Sequence, residues 1–350
     1  MTTPKRSLLA RIIRLFLLLS FLAGLSVVYV WFSFTSWLNT PLTLPSQDFH
    51  YELGSGKSLS HLSQDLASQN ILAHPRWLNW YARFYNKEKI HPGEYLLDES
   101  LTPARLLEKL NKGDVVLHQV TFVEGWTFKQ LMGALNAQPH IKHILVDKPD
   151  SKRLEILNLP ITHPEGWFFP DTYRFTKGTS DVEILTQAYN AMRKNLDELW
   201  ANKSTNLPYR NEYEALIMAS IIEKETGHEG ERDKIAGVFI RRLQIGMPLQ
   251  TDPTVIYGMG EIYTGKITRD DLRRPTSYNT YTIQGLPPTP IAIPGKASLF
   301  AALHPDASKS LYFVAKGDGT SEFSDNLLDH QRAVVRYQLK RSTDYRSTPK

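Results

Sequence analysis

The sequence predicts an α+β protein: one membrane-length helix at the N-terminus, a small α+β module after it, then a larger α+β domain with long loops. Three observations predict this. Leu15 to Phe34 is a mostly apolar run of twenty residues behind a basic start. Apolar residues then recur at helical spacing in several separate stretches, interleaved with short stretches that alternate as strands do. Beyond residue 246 that periodicity thins into segments rich in Pro, Gly, Tyr, Thr and Asn.

A chain of 350 residues is long enough for two or three domains with real cores. It has no cysteine, which excludes a disulfide framework, thiolate metal sites, a cysteine nucleophile and a lipid anchor on cysteine. The formal charge is +5. Four of the 41 basic residues, Lys5, Arg6, Arg11 and Arg14, lie in the first fourteen positions, leaving 37 against 36 acids in the rest. The remainder is nearly neutral, with no basic stripe or motif for nucleic acid.

Residues 1–14 form the basic N-terminus and 15–37 the spanning helix, which is long enough to cross a bilayer core. Basic flanks stay in the cytoplasm, and Tyr29, Trp31 and Trp37 suit the opposite interface. A cleaved signal peptide is the competing reading. The apolar run is long for one, and no clear small-x-small site follows it. Residues 38–47 are a polar, proline-containing linker.

Residues 48–125 form the small module. Leu59, Leu62 and Leu66 have helical spacing behind Ser58, a candidate cap. The aromatic-rich stretch "PRWLNWYARFYN" is a second helix. Thr102, Pro103 and Gly113 mark the start and stop of a third. The order of strand, two helices, strand, helix and strand resembles a carbohydrate-binding LysM-like unit. Trp77, Trp80 and Tyr81 can stack on sugars, although such a cluster is more often core or an interdomain contact.

The larger domain covers 126–341, and 342–350 read as a flexible tail. Ile184, Leu185, Ala188 and Met192 share one helix face, as do Ile235, Val238, Phe239 and Leu243 on a helix stopped by Gly246. Between them runs "YEALIMASIIEKETG", apolar all round from Leu216 to Ile222, the pattern of a central buried helix that Gly227 ends. It carries two glutamates into its last turn. Glu223 shares a face with Leu216, Ala219 and Ser220; Glu225 lies beside Met218 and Ile221. The helix dipole and partial burial both favour a protonated Glu223, as a general acid requires. A structural carboxylate paired with Arg232 or Lys234 is the competing reading, and the wheel alone does not separate Glu223 from Glu225. Asp252 and Glu165 are further carboxylates. Gln250, Thr251, Tyr278, Asn279 and Tyr281 have the polar and aromatic character of a sugar-binding groove. No H-E-x-x-H, G-x-S-x-G, P-loop or dinucleotide motif occurs. No metal or cofactor is expected, and no lysine stands out for a Schiff base.

The blocks "EGWFFPDTY", "ASIIEKET", "ERDKIAGVFIRRLQIGMPLQTDPTVIYGMG" and "PTSYNTYTIQGLPPTPIAIPG" resemble the endolytic murein transglycosylase (MltG, YceG-like) family. The resemblance implies a LysM-like module, a catalytic domain with substrate-binding loops, and a cofactor-free lyase acting on peptidoglycan outside the bacterial cytoplasmic membrane. It implies cleavage of the β-1,4 bond between N-acetylmuramic acid and N-acetylglucosamine of nascent strands. The products end in 1,6-anhydro-muramyl groups, and Glu223, the first Glu of "EKET", is the essential residue. Gln250, Thr251, Asp252, Tyr278, Asn279 and Tyr281 are the expected substrate contacts, and a penicillin-binding synthase is the implied partner. The alternatives are a peptidoglycan-binding scaffold for synthases and a muramidase that uses water with Asp252.

Overall fold

The computed structural model describes residues 5–339. The expected tail and the first four residues lie outside the described residues. The chain divides into two compact units, Met1–His118 and Gln119–Lys350.

The first unit opens with α1 (Lys5–Asn39). Its apolar window has a mean hydropathy of 2.3 and is nowhere buried, so it is long and apolar enough to cross a membrane. Exposure ends near its C-terminus, where Leu38 is buried and Phe34 and Trp37 meet Trp77 edge-on at 5.6 and 5.5 Å. Trp37 therefore packs on protein. Leu42 follows into the core of the unit, and its N–H donates to the Leu101 carbonyl.

That core lies between β1 (Asp48–Leu53), α2 (Leu59–Ser68), α3 (Pro75–Phe84), β2 (Gly93–Asp98) and α4 (Pro103–Lys112). The two strands pair antiparallel, Tyr51 opposite Tyr95. Local signals set the helix ends. Ser58 accepts from His61 N–H, Thr102 accepts from Arg105 N–H, and Gly113 closes α4 at φ +69°. Trp77 and Tyr81 are drawn into contact with the end of α1, whereas Trp80 stays exposed.

The second unit takes over within β3 (His118–Thr121) and continues with α5 (Phe128–Asn136), α6 (Asp150–Leu157), β4 (Thr172–Phe175), α7 (Asp181–Ala201), α8 (Glu212–Glu225) and α9 (Arg232–Gln244). After these come α10 (Asp252–Met259), α11 (Arg269–Arg273), α12 (Lys296–Leu303), β5 (Tyr312–Ala315), β6 (Ser321–Ser324) and α13 (Leu327–Val334). The architecture is a mixture of helices and small sheets. Every sheet among the described residues has two strands, β1–β2, β3–β4 and β5–β6.

Helix α8 is the centre. It packs against α7, α9, α10 and α12, which is why its sequence is apolar on every side. Asn211 caps its start by accepting from Glu214 N–H. Thr226, in extended conformation, ends it one residue before Gly227. The segment after 246 is less irregular than its composition suggests. Pro253 sits in the first turn of α10, where its missing N–H costs nothing.

Candidate active site

The last turn of α8 projects its two glutamates to different sides, because two residues of helix turn a side chain by about 200°. The small-residue side carries Ser220 and Glu223. It is covered by the segment 290–295. Ser220 Oγ accepts from Ile291 N–H at 3.0 Å and donates to the Ile217 carbonyl at 2.7 Å. One turn later, Glu223 Oε2 accepts from Gly295 N–H at 2.9 Å. A serine at this position removes bulk and satisfies a buried backbone donor of the covering segment, which in turn aligns Gly295 with Glu223.

The covering segment is held from its other edge by the turn 123–126. Gly125 N–H donates to Ile293 O at 2.9 Å, and Ile293 N–H donates to Trp126 O at 2.7 Å. Lys224 Nζ reaches over to the Gly125 carbonyl at 3.1 Å. The Glu223 side chain is only 6 % exposed, and Oε1 faces the Arg232 guanidinium at 3.9 Å. Arg232 is itself buried, and its Nε has no hydrogen-bond partner among the described residues. A backbone donor on one oxygen and a cation beside the other both suit a carboxylate. With Oε2 occupied, Oε1 is the oxygen that carries a proton in the neutral acid.

The opposite side is a separate polar cavity of about 440 Å³ lined by Glu225, Arg242, Gln250, Asp252, Tyr281, Tyr312 and His330, among others. The Thr251 hydroxyl donates to Glu225 Oε1. Burial pushes the Glu225 carboxyl up to about 7; the Thr251 bond opposes this, the Asp252 charge adds to it, and Arg242 opposes it. Tyr281 donates to Asp252 Oδ1 at 2.7 Å, and burial followed by that bond raises the phenol. Arg242 is committed to backbone, with Nε on Leu311 O and Nη1 on Leu249 O at 2.7 and 2.8 Å. Tyr312 stacks on His330 at 5.0 Å, and the imidazole is lowered by burial and by Arg242.

The residues singled out in the sequence therefore fall in several separate places. Gln250, Thr251, Asp252 and Tyr281 gather around Glu225. Tyr278 packs against Tyr257 at 5.0 Å and shares a hydrogen bond with Thr289. Asn279 is wholly buried; its amide donates to the carbonyls of Asp271, Leu272 and Arg274, and its oxygen accepts from Tyr281 N–H. It fixes the 271–281 loop. Glu223 stands apart from all of these, on the Gly295 side. Glu165 lies elsewhere again, buried at the start of α5, where it accepts from Phe128 N–H and Tyr257 OH at 2.8 and 3.0 Å. Burial raises it to about 7 against those two bonds.

Sequence reasoning passed over Arg242, Tyr312, His330 and Glu124. The first three are distant in sequence from one another. Glu124 sits in "VEGW", where the only local signal is a Gly at a turn.

The profile of the YceG-like family matches residues 51–336. The chain is 31% identical over 300 residues to the endolytic murein transglycosylase of Bacillus subtilis (strain 168), covering 81% of this chain and 83% of that protein. It is 28% identical over 316 residues to the endolytic murein transglycosylase of Streptococcus pneumoniae (serotype 2, strain D39), covering 81% of this chain but spanning 57% of that longer relative. A crystal structure of a yceG-like protein from Listeria monocytogenes is similar at 32% identity with a TM-score of 0.51, covering 81% of this chain and 98% of that one.

Proposed function

The chain belongs to the YceG-like family and is a lytic transglycosylase, and from that premise we propose that Glu223 is the acid and base with which it cuts nascent peptidoglycan strands. The bond is the β-1,4 linkage after N-acetylmuramic acid. Protonated Glu223 Oε1 gives its proton to the glycosidic oxygen while the C1–O bond breaks and its electrons pass to the leaving sugar. Positive charge develops at C1 and the ring oxygen. The resulting carboxylate, steadied by Gly295 N–H and Arg232, then takes the proton of the muramyl C6 hydroxyl. The C6 oxygen closes on C1, and a 1,6-anhydro end forms without water. One carboxyl serves twice because the nucleophile belongs to the substrate, whereas a hydrolase ordinarily needs a second carboxylate for water or for attack. No cofactor enters these steps.

The carrying observation is that Glu223 has one oxygen tied to Gly295 N–H at 2.9 Å and the other available beside a buried arginine. Helix α1 supplies the tether: its N-terminus in the cytoplasm, a single crossing of the cytoplasmic membrane, and the second unit outside. A tether there places the enzyme where new glycan emerges, so cutting ends strand elongation, and a penicillin-binding synthase is the partner such a position implies. The test uses the full chain in detergent with uncrosslinked glycan strands and mass spectrometry of the products. Anhydro-muramyl ends from internal cuts, absent with Glu223→Gln, support the reading; hydrated reducing ends would sink it in favour of a muramidase. Intact cellular function of Glu223→Gln would favour the scaffold.

A second reading makes Glu225 the acid. Its favouring observation is a carboxyl raised to about 7 on a polar cavity beside Asp252. Activity surviving in Glu223→Gln and lost in Glu225→Gln would transfer the role.

A further inference from the structure

We propose that Glu124 is a second catalytic carboxylate of the Glu223 site, placed to stabilise the positive charge that develops on the sugar ring; this rests on the reading of Glu223 as the acid. Glu124 occupies the turn Val123–Trp126, closed by Trp126 N–H on Val123 O at 3.2 Å. Gly125 takes φ +77° there, the left-handed value a type II turn needs at its third residue. Both flanks of the turn are fixed, by the two backbone bonds to Ile293 and by Lys224 on the Gly125 carbonyl. An exposed side chain on such a turn has a defined origin rather than a wandering one.

Its carboxylate lies directly against the Cα of Gly295. A Cβ built on that glycine would stand 1.9 Å from Glu124 Oε1 and 2.3 Å from its Cδ. Gly295 has φ −76° and ψ 171°, an extended conformation open to any residue, so backbone freedom does not explain the glycine. What it provides is room for Glu124. The same residue donates its N–H to Glu223 Oε2. One glycine thus holds the two carboxyl groups on adjacent sides. Covalent geometry through Gly295 puts their nearest oxygens no more than about 8 Å apart.

The two acids differ in setting. Glu223 is 6 % exposed beneath the segment 290–295, while Glu124 is exposed. Glu223 faces Arg232 from α9 and has Lys224 as its neighbour on α8; Lys296 follows Gly295 on α12. Glu124 is exposed beside the same glycine, on the side open to solvent and to a glycan strand. A fixed anion there lowers the cost of the cation at C1 in the transition state. No bond to Glu124 forms. The electrons of the broken C1–O bond leave with the departing sugar, and the muramyl C6 oxygen makes the new bond.

The experiment compares the full-length wild type, Glu124→Gln, Glu124→Asp and Gly295→Ala in detergent on uncrosslinked glycan strands. The expected result for Glu124→Gln is a kcat about 100-fold lower with KM nearly unchanged. Its few products still carry anhydro ends, and its Tm is that of the wild type. Glu124→Asp recovers part of the rate, and Gly295→Ala, which displaces Glu124, loses it. A Glu124→Gln rate within threefold of wild type overturns the inference while leaving the function of Glu223 standing. So does a rate loss accompanied by a lower Tm and no recovery in Glu124→Asp, the signature of a structural residue. Hydrated ends from wild type that vanish in Glu124→Gln would make Glu124 a base for water and overturn both readings.

Discussion

The two sides of the last turn of α8 carry the same acid in opposite circumstances. On one side Glu223 is tied to a backbone donor, faces a buried arginine and lies under the segment 290–295. On the other, Glu225 opens to a polar cavity, shares it with Asp252, and is driven by burial toward the neutral form. Two positions along a helix suffice for this, since the intervening rotation hands each side chain to a different layer of the domain. A raised proton affinity is therefore no sure mark of the catalytic acid, because structural burial produces it as well. Glu165 makes the same point from a third place, equally raised and engaged with Phe128 N–H and Tyr257.

The sharpest way to break this contrast is to remove each acid in turn. Glu223→Gln should lower formation of anhydro ends about 10³–10⁴-fold, within the range general acid–base groups supply, while Glu225→Gln lowers it less than about tenfold. Release of anhydro-muropeptides measures both, and a reversed order would mean that the cavity side is the catalytic one.

Acidity offers the next test, and its sign is fixed. A carboxyl held near 7 when folded and at its ordinary value of 4.5 when unfolded favours the folded state in its protonated form. That stability is complete below about 4.5 and is lost as pH rises through about 7. Wild-type Tm should therefore fall between pH 5 and pH 8. Glu225→Gln, which stays neutral, should flatten part of that slope and at pH 8 exceed wild-type stability by about 1–3 kcal/mol. Glu165→Gln should flatten a further part. A Tm that climbs with pH over this window in wild type would contradict the burial argument.

A smaller effect concerns the walls rather than the acids. Asn279→Ala leaves three carbonyls of the 271–281 loop without their donor and should cost about 2–3 kcal/mol in denaturant unfolding. Ser220→Ala, which strips one acceptor from Ile291 N–H beneath Glu223, should cost about 1 kcal/mol. Equal costs would indicate that both walls are equally rigid.

Much was legible in the residue order because its physics is local. The run from Leu15 to Phe34 announces a helix that meets bilayer length whatever follows it. Ser58, Thr102 and Gly113 mark helix ends because a cap acts within three or four residues. The apolar surround from Leu216 to Ile222 announces a buried α8, and its helical phase sends Glu223 to the side of Ser220. The motif blocks carry the family.

Tertiary structure alone decided what stands against each acid. Gln250, Thr251, Asp252 and Tyr281 belong with Glu225, not with Glu223, and Asn279 is a loop brace rather than a groove residue. Glu124 meets Gly295 across 171 positions of sequence, and Arg232 reaches Glu223 by the packing of α9. Periodicity and capping report a residue's phase on its own element, over a few residues. Which element covers that phase is set by how the apolar faces of α7, α9, α10 and α12 close around α8, a many-body packing result that no short stretch of sequence encodes.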